Sequence, residues 1–227
     1  MTNYIPEHIL DRIKKGDFYL IGDNHFGHQK CFLKFEPARR ELADNFEIFE
    51  DKMIELWNSV ITDNEIIIHV GDFCINKMND DKTLENIYKF TAKLKGFKIL
   101  LKGNHDKQDN DVYLDAGWDI VISKPLNTLK EPPLEMRNNY SYTGSIIVDI
   151  KGIKTIITHM PFLNDYKDKY DKPKKELKKI FEDNDCLQLI HGHSHSKTKN
   201  ETNIFNASVE NIDFTPISYS AIYDIIK

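Results

Sequence analysis

The stretch Lys98–Asp106 reads K-I-L-L-K-G-N-H-D. Its apolar run, Ile99 to Leu101, stops at Gly103, and Asn104, His105 and Asp106 follow at once. That pattern predicts a buried strand delivering three polar side chains at its C-terminal tip. Four other places repeat it. Phe18–Gly22 ends in Asp23-Asn24-His25, Glu65–Val70 in Gly71-Asp72, Ile153–His159 in Thr158-His159-Met160-Pro161, and Leu187–Ile190 in His191-Gly192-His193-Ser194-His195. In α/β folds ligands bind outside the carboxyl ends of the strands, so these tips would gather carboxylate, imidazole and amide groups on one rim. Glycines precede Asp72, Asn104 and His193, where close backbone packing is useful.

The rest of the chain reads around these strands. Ile5–Lys15 is an expected helix with Ile9, Leu10 and Ile13 on one face and a glycine stop at Gly16. Asn45–Val60 is an amphipathic helix, its apolar positions Phe46, Phe49, Met53, Leu56, Trp57 and Val60 recurring at helical spacing. Asp81–Lys95 is another, stopped by Gly96. Asp119–Ser123 reads as a short strand. Ser145–Ile150 and Ile153–His159 form a hairpin about Lys151-Gly152. A helix is expected near Lys174–Glu182, and Ile204–Val209 and Ser218–Ile226 read as two last strands. Phe26–Asp44, Lys124–Gly144 and Asn164–Lys175 show no periodicity and are expected as loops, the last a solvated one.

Length and composition set bounds. A chain of 227 residues suits one α/β domain, here residues 1–227 with 1–16 as an N-terminal helical extension. Hydrophobic residues make up 40% and charged residues 30%, which excludes a disordered chain. No apolar run approaches the ~20 residues that span a bilayer, and the first residues lack a signal-peptide pattern, so the cytoplasm is the expected location. Three cysteines, Cys31, Cys74 and Cys186, are widely spaced and form no CxxC pair, which argues for buried free thiols. A net charge of −5 argues against broad nucleic-acid binding but not against a small anionic substrate, because bound cations would reset the local field.

Asp23, His25, Asp72, Asn104, His159, His193 and His195 are nitrogen and oxygen donors without thiolate. Such a set suits Mn, Fe, Zn, Co or Ni. Seven donors are too many for one ion that keeps an open position, but two ions sharing a carboxylate could take them. Asp-X-His and His-X-His place alternate residues on the same side of an extended segment.

In order, D-x-H, G-D, G-N-H-D, a lone His and G-H-x-H, these motifs resemble the calcineurin-like metallophosphoesterase superfamily. The similarity runs from about residue 18 to about 217. The words G-D-N-H-F-G-H, the W-N of the first long helix and F-T-P-I-S near the end resemble its compact bacterial and phage branch. The first motif departs from the family in following Gly22 rather than Ser, at a position that is not a ligand. The resemblance implies a four-layer α/β/β/α sandwich with a dinuclear metal centre at the strand ends. Carried over motif by motif, Asp23, His25 and His195 would hold one ion, Asn104, His159 and His193 the other, and Asp72 would bridge them. His105 would face the substrate as phosphate binder or proton donor, with Asp106 orienting it. Manganese is the first expectation.

The chemistry agrees with that assignment. Two cations about 3.5–4 Å apart can clamp a phosphoryl group and activate a bridging hydroxide for in-line attack, while His105 neutralises the leaving alkoxide. The expected function is hydrolysis of a small phosphodiester or phosphomonoester, with nucleotide-like diesters favoured. A non-catalytic metal-binding scaffold, a nuclease and a protein phosphatase are the alternatives, and the scaffold is disfavoured by the presence of His105.

Other residues carry weaker signals. His28, in H-F-G-H, could reach the site or pack in a loop. Arg39 and Arg40 could clamp a phosphate or begin a solvated helix. His69 and His191, inside strands, read as structural, and His8 as a surface residue. Tyr140 and Tyr142 could stack on a base. The lysine-rich run Lys167–Lys179 reads as a solvated face.

Overall fold

A computed structural model describes residues 4–75, 80–164 and 166–226. Residues 1–3 of the expected N-terminal extension, and residue 165 of the 164–175 stretch, lie outside them. The strands run β1 (Tyr19–Ile21), β2 (Ile66–His69), β3 (Phe97–Leu101), β4 (Ile120–Ile122), β5 (Pro125–Asn127), β6 (Leu134–Glu135), β7 (Ser145–Ile150), β8 (Ile153–Thr158), β9 (Gln188–His191), β10 (Ile204–Asn206) and β11 (Ile217–Ser218). The α-helices are α1 (Glu7–Lys14), α2 (Ala38–Leu42), α3 (Phe46–Val60), α4 (Asp80–Thr91), α5 (Asn110–Asp115), α6 (Asp171–Asp183) and α7 (Tyr219–Ile226).

Two sheets result. The first has the order β11-β1-β2-β3-β4, with β1 to β4 mutually parallel and β11 antiparallel at the edge. The second has the order β10-β9-β8-β7-β5-β6, mixed in direction, with β7 and β8 pairing antiparallel as the expected hairpin. The first sheet is buried on both faces, so β2 is a continuous apolar run, Ile66-Ile67-Ile68.

The second sheet shows why the sequence needs two layers around it. Successive strand residues point to opposite faces. Ile146, Val148, Ile157 and Ile190 join Leu20, Ile68 and Leu100 of the first sheet in the main core. Their neighbours Ile147, Ile156 and Leu189 turn outward and are covered by Leu177 and Ile180 of α6. Helices α3 and α4 add Phe49, Met53, Trp57, Ile87 and Phe90 to the main core. The protein is therefore a mixed α/β fold of two sheets flanked by helices. Helix α3 starts where Asn45 caps it, the side chain accepting from the Ile48 amide at 2.9 Å. No helix among the described residues is long and apolar enough to cross a membrane.

Four expectations need correction. Ser218–Ile226 is not a strand: after Ile217–Ser218 the chain turns into α7, where Tyr219, Ile222 and Ile226 sit three and four apart and are buried. That spacing is helical, and the apolar run hid it. Lys124–Gly144 contains β5 and β6, short strands that continue the second sheet. Phe26–Asp44 contains a π-helical turn, Cys31–Phe35, and α2. Helix α6 begins at Asp171, three residues before the expected start, with Pro173 in its first turn, where no intrahelical N–H is needed.

Candidate metal centre

The tips of β1, β2, β3, β8 and β9 converge, and the backbone there is unusual. Asp23, His25, Asp72, His193 and His195 all have φ between +49° and +68°. Non-glycine residues rarely adopt this left-handed region, which costs on the order of 1–2 kcal/mol each. The strain turns alternate side chains into one space. Gly71, at φ +95°, and Gly103 let the tips touch: a Cβ on Gly103 would lie 2.4 Å from Asp72 Oδ1 and 2.8 Å from the Asp72 nitrogen.

Two clusters form. In the first, Asp23, His25 and His195 offer ligand atoms within 4.8 Å of one another. In the second, Asp72, His159 and His193 do so, and Asn104 Oδ1 lies 3.0 Å from His159 Nε2. Asp72 Oδ2 stands between them, 3.5 Å from His25 Nε2 and 3.4 Å from His159 Nε2. Asp23 Oδ2 accepts from the His193 amide (2.8 Å) and Ser208 Oγ (2.9 Å). Its other oxygen, and both ring nitrogens of His25, are buried without a hydrogen-bond partner among the described residues. Each such orphan costs about 1–3 kcal/mol. A cation would satisfy them, and the all-nitrogen-and-oxygen donor set suits a borderline divalent metal. The residues fit the two ions.

The proton distribution points the same way. Burial holds His25 well below the usual imidazole range and lowers His193 to about 4, so both present lone pairs. Burial also pushes up the Asp23 carboxyl. Burial opposes the charges on Asp72 and His159, yet their mutual attraction keeps Asp72 well below the carboxylate range and raises His159 to about 9. The carboxylates that retain a proton on His159 are those that would attract a cation in its place.

His105 lies at the mouth. Its amide donates to Asp72 Oδ1 at 2.8 Å, its Nε2 is 3.9 Å from Asp72 Oδ2, and its side chain keeps 23% of its surface exposed. Asp106, next in sequence, is buried and bonded to three backbone amides. Its Oδ2 accepts from the amides of Asp72 (2.7 Å) and Gly103 (2.9 Å) and its Oδ1 from that of Phe73 (3.0 Å). It therefore shapes the loops carrying Asp72 and Asn104. Burial raises its carboxyl to about 7, with the nearby Asp72 charge adding to the effect.

Arg40 is exposed on α2, as a solvated helix start would be, but Arg39 differs from its sequence reading. Arg39 is buried, not solvated. Its guanidinium pairs with Glu210 at 2.6 Å and donates to the carbonyls of Asp23 and Asn24 at 2.6 and 2.9 Å, so it holds the first motif from beneath instead of meeting a phosphate. Arg40 Nη1 donates to the carbonyls of Phe32 and Leu33, securing the π-helical turn. His28 is buried, with its ring 5.4 Å from that of His25 and 6.4 Å from that of His105. His69 bonds Asn24 Oδ1 (2.8 Å) and the Gly71 amide (3.1 Å), and His191 bonds the Gly192 carbonyl (2.8 Å). Both sit in the strands as structural residues.

Two acidic residues escaped the sequence reading. Glu210 lies 3.1 Å from His195 Nδ1, leaving Nε2 toward Asp23. Burial opposes its charge, but Arg39 and His195 lower its carboxyl to about 2. Glu36, His195 and Glu210 also make a three-donor group, but Arg39 already supplies its cation. Asp168 Oδ2 lies 2.8 Å from His193 Nε2 and 2.8 Å from Lys174 Nζ. Such partners of a ligating histidine fix its orientation. Glu210 left a trace in the sequence, being the one charged residue in I-F-N-A-S-V-E-N-I (204–212). Asp168, among alternating lysines and aspartates, left none.

A family model of calcineurin-like phosphoesterases matches residues 16–197, and the chain belongs to that family. Family and donor set together define a metal-dependent phosphoesterase. The chain is similar to an uncharacterized protein of Methanocaldococcus jannaschii, 23% identical over 216 residues, which cover 92% of this chain and 90% of that protein. A crystal structure of a protein of unknown function from Aquifex aeolicus shares the fold at a TM-score of 0.64 and 24% identity, covering 92% of this chain and 98% of that one.

Proposed function

We propose that the protein is a phosphodiesterase that works with two divalent ions, manganese before iron, zinc, nickel or cobalt, on small nucleotide-like esters. Asp23, His25 and His195 would hold one ion, Asn104, His159 and His193 the other, with Asp72 between. When bound, the ions supply Lewis acidity to the phosphoryl oxygens and lower the pKa of water. His105, at the mouth, gives a proton from Nε2 to the departing oxygen. Asp106 keeps the backbone of Asp72 and Gly103 in place. Arg39 and Glu210 hold the first cluster from behind, and Asp168 the second.

The observation that carries this reading is the position of Asp72 Oδ2, within 3.5 Å of a histidine of each cluster. The three cysteines are buried and unpaired, which suits work in the reducing cytoplasm. The test combines calorimetric titration with Mn2+ and assay on bis(p-nitrophenyl) phosphate. Two equivalents bound, with turnover, support the proposal. One equivalent or none, with no turnover of any aryl ester, overturns it.

A further inference from the structure

The chain from Tyr166 to Asp171 runs past the metal centre and sets two tyrosines against His193. The Tyr170 and Tyr166 rings both meet the His193 imidazole edge to face, at 5.3 and 5.9 Å between centroids. Asp168, between them in sequence, fixes the segment there through its bonds to His193 and Lys174. Each tyrosine lines its own cavity. One, of about 380 Å³, combines Tyr170 with Lys169 and Lys107 and reaches Asn104 and His105. The other, of about 230 Å³, combines Tyr166 with Lys167, Lys175 and Lys178.

Among the described residues that line them, lysines outnumber carboxylates in both. The first has Asp80 with Lys107 and Lys169. The second has Asp171 with Lys167, Lys175 and Lys178, while Lys174 is committed to Asp168. Every lysine of Lys167–Lys179 except Lys174 is exposed, as expected of a solvated face, and Lys167, Lys175 and Lys178 of that face line the second cavity. A ring face beside an ammonium group is what nucleotides require: the base stacks on the ring and the phosphate meets the cation. A monoester needs one such place. Two, one reaching Asn104 and His105 and the other joined to the centre through Tyr166 beside His193, match a diester.

We propose that the site takes a phosphodiester with a nucleotide unit on each side of the scissile phosphate, a dinucleotide. One unit occupies the Tyr170–Lys169–Lys107 cavity. It borders His105, so this unit leaves. The other occupies the Tyr166 cavity and keeps the phosphate. Water oxygen forms the new bond to phosphorus and the P–O bond to the leaving unit breaks. The leaving oxygen takes the His105 proton, which the water replaces. This proposal rests on the phosphoesterase reading.

The test uses the full chain loaded with Mn2+. It compares kcat/KM for bis(p-nitrophenyl) phosphate, thymidine 5′-(p-nitrophenyl phosphate), and a thymidine dinucleotide phosphorylated at both ends. Binding of the fluorescein-labelled dinucleotide to the His105→Ala protein is read separately by anisotropy. Thymidine 5′-(p-nitrophenyl phosphate) should exceed bis(p-nitrophenyl) phosphate in kcat/KM on the order of tenfold, since both release p-nitrophenolate, and the dinucleotide, whose alkoxide leaves far less readily, should show the lowest KM. Tyr170→Ala with Lys169→Gln, and Tyr166→Ala with Lys175→Gln, should each raise the dinucleotide KM and weaken its binding by about tenfold, while kcat changes little. Turnover of the aryl diesters with no gain from the thymidine unit and no lower KM for the dinucleotide overturns the two-cavity proposal and leaves the phosphoesterase reading in place. Absence of turnover on every ester overturns the phosphoesterase reading, and the anisotropy then decides the cavities: unchanged affinity in both double variants overturns them too.

Discussion

Asp168 Oδ2 sits 2.8 Å from His193 Nε2, so a carboxylate 25 residues upstream sets the ring that faces the second cluster. The bond leaves His193 Nδ1 turned toward His159 Nε2, 3.1 Å away. Removing it should loosen that ring. Asp168→Ala is expected to weaken binding of one of two Mn2+ equivalents by about 10–100-fold, measured by calorimetry, while the other equivalent stays tight. Asp168→Asn, which can still accept a hydrogen bond, should recover part of the loss.

His105 touches the mouth rather than the clusters' interior. His105→Ala should lower kcat on the order of 100-fold or more, with two Mn2+ equivalents still bound. Equal activity of variant and parent would remove its role as proton donor.

Arg39 and Glu210 form a buried pair, and breaking one side strands a charge. Arg39→Ala should cost about 3–5 kcal/mol in urea unfolding. The double change Arg39→Met with Glu210→Gln should recover most of it, because neither charge then remains. Recovery of stability without recovery of Mn2+ affinity at the first cluster would show that Glu210 also positions His195.

Gly103 leaves no room for a side chain. Gly103→Ala forces Asp72 aside, since the new Cβ would stand 2.4 Å from its Oδ1. The expected cost is about 1–3 kcal/mol, seen as a lower midpoint in thermal unfolding, with loss of metal stoichiometry. A variant of unchanged midpoint would argue that the tips separate easily.

Glu50 gives the pH dependence its sign. Its Oε1 accepts from the Gly27 amide at 2.6 Å, and burial raises its carboxyl to about 7. A carboxyl raised on folding binds its proton more tightly when folded, so stability falls as pH rises from about 4.5 to about 7. Glu50→Gln should flatten that slope, worth on the order of 1–3 kcal/mol across the interval. Urea unfolding of both proteins at pH 5 and pH 8 measures it.

Much of this site was legible because its residues follow a local rule. An apolar run that ends at a glycine and then turns polar, as at Leu101–Asn104, announces a strand tip without reference to the rest of the chain. The six apolar positions of α3 did the same for a helix. What stayed hidden depends on partners far away. Nothing beside Arg39 says that Glu210, 171 residues on, will meet it. Asp168 looks like its neighbours until the fold lays it on His193. Asp106 stands next to His105 in sequence, and that adjacency does not disclose its bonds to the backbone amides of Asp72, Phe73 and Gly103. Helix α7 was misread for a local reason, a short strand running directly into a helix with no break between them.

The donors divide between the sheets. Asp23, His25, Asp72 and Asn104 follow strands of the first, and His159, His193 and His195 follow strands of the second. Each cluster draws on both. During synthesis the N-terminal donors emerge early and stay chemically idle, because His193 and His195 have not yet been made. A chain that stops short of the β9 tip therefore lacks one donor of each cluster, His195 of the first and His193 of the second, and neither cluster is whole until that tip is in place.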